Sequence, residues 1–142
     1  MDPKITLITL GVNNLDESVQ FYRDGIGFPL RERDEDSDVA FFPLEGTWLS
    51  LYPRDLLAED ATVSDEGSRF SGVTLAHNVS NRSEVDAILA EAEEAGGRIV
   101  KQAQDVFWGG YSGYFADPDG HLWEVAYPDL TDEQDTSLDN SS

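Results

Sequence analysis

Alternating apolar and polar residues predict a strand at the start of the chain, and a run with helical spacing follows it. Residues 4–12 alternate and are rich in β-branched side chains, and Asn13 and Asn14 supply the turn chemistry that ends the strand. Asn14 can cap a helix, because its side chain can accept from a free backbone N–H of the first turn. The apolar positions of that helix are Val19, Phe21, Tyr22 and Ile26, and Gly25 and Gly27 end it.

The same order of elements then occurs a second time. Short β-type runs at 28–33, 39–44 and 47–52 complete the first half, and a strand at 72–79 opens the second. Ser80 or Asn81 can cap the second helix, which Gly96 and Gly97 stop. Its apolar positions are Val85, Ile88, Leu89 and Ala92, and further strands are predicted at 98–101, 113–117 and 122–127.

Both halves therefore read β-α-β-β-β, which predicts an α+β fold made of two tandem modules. One such unit leaves a sheet face that needs a partner, and two units side by side make a curved, barrel-like cleft. The alternative is an ordinary α+β domain that happens to have two helices. We expect a single domain over 1–128, with modules at 4–53 and 71–128, a linker or flap at 54–70, and an acidic mobile tail at 129–142.

Charge is the strongest signal of the composition. The 142 residues include 29 Asp and Glu against 9 Lys and Arg, a formal net charge of -20. This charge argues against nucleic acid as a partner, since that interaction needs a basic surface. Molar salt shortens the Debye length to about 3 Å and screens the self-repulsion, which favours a halophilic protein.

Other compositional features limit the location and the chemistry. Apolar runs are too short to cross a bilayer and no secretory signal is visible, so we expect a cytoplasmic protein that does not bind membranes. Cysteine is absent, which excludes disulfides, thiolate metal ligands and cysteine nucleophiles. No nucleophile elbow, phosphate-binding loop or dinucleotide fingerprint occurs.

Two segments at opposite ends of the duplicated pattern resemble a known superfamily. Residues 8–22, with Gly27 and Phe28 after them, resemble the opening of vicinal oxygen chelate proteins, and residues 115–125 resemble the closing segment. This superfamily includes glyoxalases, extradiol dioxygenases, fosfomycin-resistance transferases and bleomycin-binding proteins. The resemblance implies the glyoxalase/bleomycin-resistance fold and a homodimer, but one scaffold hosts many reactions.

The resemblance also implies four metal-ligand positions, and this sequence fills one of them. Glu124 occupies the last position, whereas the others fall at Leu7, at Ser50 or Leu51, and at Val73 or Thr74. A divalent metal held by one carboxylate would bind weakly, so we expect no metal and no other cofactor. His77 is an alternative ligand if a bulge turns it toward Glu124, and His121 is expected in solvent.

A cleft with few polar groups is the remaining prediction for the site. Glu124 could accept a proton or anchor a ligand, the alternative being a salt bridge to Arg69 or Arg98. Residues 107–114 contain three glycines among four large aromatics, which favours a cleft wall or lid, although Trp108 and Tyr114 could instead fill the core. The predicted ligand-binding residues are Thr9, Trp48, Ser50, Thr74, His77, Trp108, Tyr111 and Tyr114, with Asn78 nearby.

Two functional hypotheses follow from these residues. The first is a metal-independent protein that binds a small organic molecule near Glu124. The second is a metal-dependent lyase or dioxygenase of the glyoxalase type, using Glu124 and His77. Tight stoichiometric binding of a metal that is lost in Glu124→Ala would contradict the first hypothesis.

Overall fold

A computed structural model describes residues 3, 5–62, 64, 71, 73–106 and 109–128. The predicted tail at 129–142 lies outside these residues. The strands are β1 Leu7–Val12, β2 Ala40–Phe42, β3 Trp48–Pro53, β4 Thr74–Asn78, β5 Arg98–Asp105, β6 Tyr111–Ala116 and β7 Leu122–Tyr127. The helices are α1 Leu15–Val19, which continues into a π-helical turn at Gln20–Gly25, α2 Arg54–Asp60 and α3 Arg82–Glu94.

The strands form two sheets, one from each half of the chain. The first sheet has the order β1-β3-β2 and the second β4-β7-β6-β5. In both, the first strand of the module lies parallel to the last, as β1 to β3 and β4 to β7. This confirms the duplicated α+β arrangement. Among the described strands β1 and β4 each have one paired edge, so the two sheets are not closed into a barrel.

One prediction about the first half needs correction. Residues 28–33 form no strand, and the backbone link seen there is Arg31 N–H donating to the Phe41 carbonyl at 2.9 Å. Pro29 has no N–H to donate, which weakens this segment as a strand. The stretch expected to be a linker starts with α2, whose Leu56 and Leu57 are half-buried and which packs against β1 and β3.

Both predicted helix caps are confirmed. The Asn14 side chain accepts from Glu17 N–H at 3.0 Å, and the Asn81 side chain accepts from Glu84 N–H at 2.9 Å. The first helix then widens, since Ile26 N–H donates to the Phe21 carbonyl, five residues back. Within the described residues no helix is long and apolar enough to cross a membrane.

One aromatic core joins the two modules. Tyr22 contributes from the π-helical turn and Phe42 from the first sheet, and Phe115 and Trp123 contribute from the second. Trp123 stacks on Phe115 with ring planes 3° apart, and its ring centroid lies 6.2 Å from that of Tyr22. The helix-facing sides of both sheets therefore bury their apolar residues against each other, which makes a shared core.

The turn before β7 ties the second module to the first. We call Asp117, Asp119 and His121 the inter-module tie. Asp119 accepts from Asn13 N–H at 2.7 Å and from the Ser18 hydroxyl at 2.9 Å. His121 Nε2 lies 2.6 Å from the Gly11 carbonyl oxygen. The predicted hairpin turn is present, but the expectation that His121 lies in solvent was wrong: the residue is half-buried.

A buried hydrogen-bond network supports this tie from inside the core. The Tyr22 hydroxyl donates to Asp117 Oδ2 at 2.6 Å and accepts from Trp123 Nε1–H at 3.1 Å. Burial raises the pKa of Asp117, and the bond from Tyr22 and the nearby His121 oppose that rise. Burial, followed by the charge of Asp117, raises the pKa of Tyr22. The phenol therefore stays protonated and keeps its donor.

Candidate functional site

A large opening lies between β1 and β4, the edge strands of the two sheets among the described residues. We call it the inter-module cleft. Its volume is about 690 Å³, within the range of small-molecule sites. Its apolar walls come from both modules: Ile8, Phe28, Leu44, Leu49, Leu75 and Trp123.

Three of the predicted ligand-binding residues line this cleft. Trp48 begins β3 on one side, and Thr74 and His77 lie on β4 on the other. The Arg31 guanidinium lies over the Trp48 ring, 5.9 Å from its centroid. The cleft thus combines aromatic walls with a hydroxyl and an imidazole, a composition that suits an organic molecule with few polar groups.

A shallower cavity of about 530 Å³ extends the cleft past Trp48. It is lined by Ile5 and Thr6 as well as by Gly46, Thr47 and Trp48, which it shares with the cleft. Ile5 is 67% exposed and Leu7 beside it is 38% exposed. An apolar surface therefore continues from the cleft along the start of β1.

Glu124 and Tyr114 lie on the face of the second sheet that points away from the core. The register places Glu124 between Tyr114 on β6 and Ala76 on β4, whereas its neighbours Trp123 and Val125 face the core. Burial and the charge of Glu124 raise the pKa of Tyr114. Glu124 is half-buried and does not line the cleft. The structure therefore separates this carboxylate from Trp48 and His77.

Thr9 and Ser50 form a third group. They are paired across β1 and β3, and their hydroxyl oxygens are 2.6 Å apart. Ser50 is only 1% exposed. Neither residue lines the cleft, although their neighbours Ile8 and Leu49 do.

Part of the glycine-aromatic segment proves to be structural. Tyr111 and Tyr114 belong to β6, and the Tyr111 hydroxyl donates to Asp86 on α3 at 2.8 Å. A Cβ at Gly113 would lie 2.8 Å from both Leu89 Cδ1 and the Lys101 carbonyl oxygen, so this glycine allows α3 and β5 to pack. Residues 111–114 form part of a strand and no lid, Trp108 lies outside the described residues, and a ligand role for this segment stays a prediction.

The described residues do not fit the metal site that the family resemblance implies. Ala76 is the β4 residue beside Glu124, and His77 pairs with Val125, on the opposite face of the strand. The proposed turn of His77 toward Glu124 was therefore wrong. No group of three or more His, Cys, Asp or Glu that could hold a metal ion occurs in the described part of the chain.

The sequence did not reveal several residues of the cleft. Phe28, Leu44 and Trp123 line it, although the pattern assigned them to strands or to the core. Their role depends on two strand edges that stay apart, which is a property of the tertiary structure.

The two alternatives proposed for Glu124 as an ion pair can also be assessed. Arg98 pairs with Ala116 at the far end of β6, and the described residues contain no ion pair between it and Glu124. Arg69 lies outside the described residues. The carboxylate has Tyr114 as its cross-strand neighbour.

Comparison with known proteins identifies similar chains. The model of the Glyoxalase/Bleomycin resistance protein/Dioxygenase superfamily matches residues 4–125. A metallothiol transferase FosB of Shouchella clausii is 34% identical over 123 residues, which are 85% of this chain and 77% of that protein. The protein YraH of Bacillus subtilis is 29% identical over 86% of this chain and 96% of its own length.

Solved structures agree with this match. A glyoxalase-related enzyme from Fulvimarina pelagi superposes with a TM-score of 0.80 at 35% identity, covering 88% of each chain. A lactoylglutathione lyase from Agrobacterium tumefaciens gives a TM-score of 0.68 at 22% identity over 92% of this chain and 98% of that one. At that identity the second likeness concerns the fold alone.

Proposed function

We propose that this chain, which belongs to the Glyoxalase/Bleomycin resistance protein/Dioxygenase superfamily, binds a small organic molecule in the inter-module cleft without using a metal. The observation that supports this most is the cleft itself, with its apolar walls, Trp48, and the polar groups of Thr74 and His77. A cytoplasm with high salt is the proposed setting, in keeping with the net charge of -20.

The donor set around Glu124 supports binding without a metal. Its cross-strand neighbours Ala76 and Tyr114 offer no carboxylate or imidazole. A lone carboxylate leaves a divalent ion with nearly all its water, because useful sites supply three or four protein ligands. Glu124 is thus better suited to accepting a hydrogen bond or a proton than to holding an ion.

Binding of a neutral aromatic probe tests the proposed cleft. Calorimetric titration with 1-naphthylmethanol in 2 M KCl is expected to give one site per chain. Trp48→Ala removes an aromatic wall and is expected to weaken binding at least fivefold. The control is Tyr52→Ala, on the same strand but outside the cleft. Equal weakening by both variants, or no binding by the parent chain, contradicts the proposal.

The alternative is metal-dependent chemistry, and similarity to a metallothiol transferase is the observation that favours it. Elemental analysis of protein purified in molar KCl without chelator, followed by titration with Mn²⁺, Ni²⁺ and Zn²⁺, separates the two readings. We expect metal at trace level. One equivalent per chain that disappears in Glu124→Ala overturns the metal-free proposal.

A homodimer is the assembly we propose. The free edges of β1 and β4 lie beside exposed apolar side chains, namely Ile5, Leu7 and Val73, of which Val73 is 56% exposed. Unpaired strand edges with apolar neighbours favour association with another chain. A second copy is the proposed partner, because it would cover these residues and narrow the open side of the cleft.

A further inference from the structure

We propose that the inter-module cleft takes an aromatic molecule with a positive charge, and that the Glu45 carboxylate at its mouth pairs with this charge. The inference rests on the proposed function and specifies the class of ligand.

The charges around the cleft give the first argument for a cationic ligand. The cleft-lining residues of the described structure include the carboxylate of Glu45 but no Lys or Arg. Glu45 is exposed and makes no hydrogen bond or ion pair with another described residue. An anionic ligand would lose water here without gaining a cationic partner from the walls. A cationic ligand would meet a free carboxylate.

The aromatic rings of the cleft give the second argument for a cationic aromatic ligand. Phe28, Trp48 and Trp123 line the cleft, and the face of an aromatic ring attracts cations through its negative π-electron density. The Trp48 ring already has the guanidinium of Arg31 over it, at 5.9 Å from the ring centroid. This contact shows that the Trp48 ring interacts with a cation, and Phe28 and Trp123 offer further ring surface to the aromatic part of a ligand and its charge.

The charge of the whole chain acts in the same direction. A formal net charge of -20 gives a negative potential around the molecule, which concentrates cations and repels anions at low ionic strength. In molar salt this long-range part is screened. The contacts with Glu45 and the rings remain, since they act within a few ångströms.

The competing possibility is that the cleft binds an anion through Arg31. This arginine lies beside the cleft at Trp48 and could pair with a carboxylate or phosphonate. Two other described arginines are engaged in ion pairs, Arg23 with Asp24 and Arg82 with Asp105. Binding of an anion through Arg31 is therefore the outcome that the experiment must detect.

Three probes of one shape test the inference. Calorimetric titrations of the full chain with 1-naphthylmethylammonium, 1-naphthylmethanol and 1-naphthoate are done in 0.2 M and in 2 M KCl. We expect the cation to bind about tenfold more tightly than the neutral alcohol, and the anion to bind most weakly, in both salts. Weaker discrimination in 2 M KCl, but of the same sign, supports the short-range contacts.

A pair of glutamate variants identifies the source of the preference. Glu45→Gln is expected to weaken binding of the cation three- to tenfold and to leave the alcohol unchanged. Glu94→Gln changes the net charge equally but lies on the exposed side of α3, outside the cleft, and is expected to leave both affinities unchanged. Both residues are exposed, so neither substitution should prevent folding.

The outcomes separate this inference from the proposed function. Equal affinities for cation and alcohol, or tightest binding of the anion, overturn the inference while the cleft remains a binding site. Equal effects of Glu45→Gln and Glu94→Gln also overturn it, since the preference would then come from the total charge. Failure of all three probes to bind overturns the proposed function as well.

Discussion

At the scale of single residues, the Tyr22 hydroxyl is the clearest case of a buried group that needs its partners. It lies in a residue with 0% exposure, donates to Asp117 and accepts from the indole of Trp123. The Tyr111 hydroxyl also donates to an aspartate, Asp86, but at the surface. The two tyrosines make a matched pair for measuring the effect of burial.

Tyr22→Phe is expected to lower the free energy of unfolding by about 1–3 kcal/mol, because Asp117 Oδ2 and the Trp123 indole N–H lose their hydrogen-bond partner inside the core. Tyr111→Phe exposes its aspartate to water and should leave the free energy of unfolding unchanged within error. Urea unfolding in 2 M KCl, followed by circular dichroism, measures both. Similar losses in the two variants would contradict the role given to burial.

Residues whose hydrogen-bond partners lie close by in the sequence could be predicted from it, whereas residues whose partners lie far away along the chain could not. Asn14 and Asn81 cap helices because their partners lie three residues away. The partners of Asp119 and His121 lie 101 to 110 residues away, so no local pattern reveals them. The misplacement of His77 has the same cause, since its face depends on the register with β7.

At the scale of elements, the free edges of β1 and β4 give the structure its most exposed apolar surface. Sequence alternation predicted both strands but not the gap between them. The pattern of apolar and polar residues also did not predict the π-helical turn or α2. Leu56 and Leu57 form a run too short to show periodicity, and they are stabilised by packing on β1 and β3.

A lysine on this surface tests the proposed homodimer. Val73→Lys beside β4 is expected to convert a dimer to a monomer, because a charge would be buried at the interface. Val100→Lys on β5 is the control: Val100 is 44% exposed but belongs to the opposite edge of the second sheet. Sedimentation velocity in 2 M KCl measures the mass. A parent chain that sediments as a monomer, or a dimer lost only in Val100→Lys, contradicts the proposed interface.

At the scale of the whole molecule, charge is the dominant property. Among the described residues, ion pairs join Arg23 to Asp24 and Arg82 to Asp105, and the excess of acidic residues over basic ones leaves most carboxylates without a cation. This imbalance between acidic and basic residues follows from the composition alone. The structure adds that most of the described acidic residues are exposed around a shared aromatic core, so their mutual repulsion acts at the surface of the fold.

Stability is therefore expected to rise with salt. The urea midpoint should increase steeply between 0.1 and 1 M KCl and more slowly above that, because the Debye length has already fallen to about 3 Å at 1 M. Sucrose at matched osmolality is the control for effects that do not involve charge. A midpoint that is independent of KCl, or that rises equally with sucrose, contradicts the halophilic interpretation.

The inter-module tie has a consequence for how the chain reaches its native state. Asp119 accepts hydrogen bonds from Asn13, just before α1, and from Ser18, within α1, and both partners are more than 100 residues away from it in the sequence. Tyr22 donates to Asp117, which is 95 residues away. Contacts of such separation form late, since the entropy of closing a long loop must be offset before they contribute. During synthesis, the first module therefore emerges with its aromatic face uncovered and completes its core only when the β6–β7 hairpin arrives.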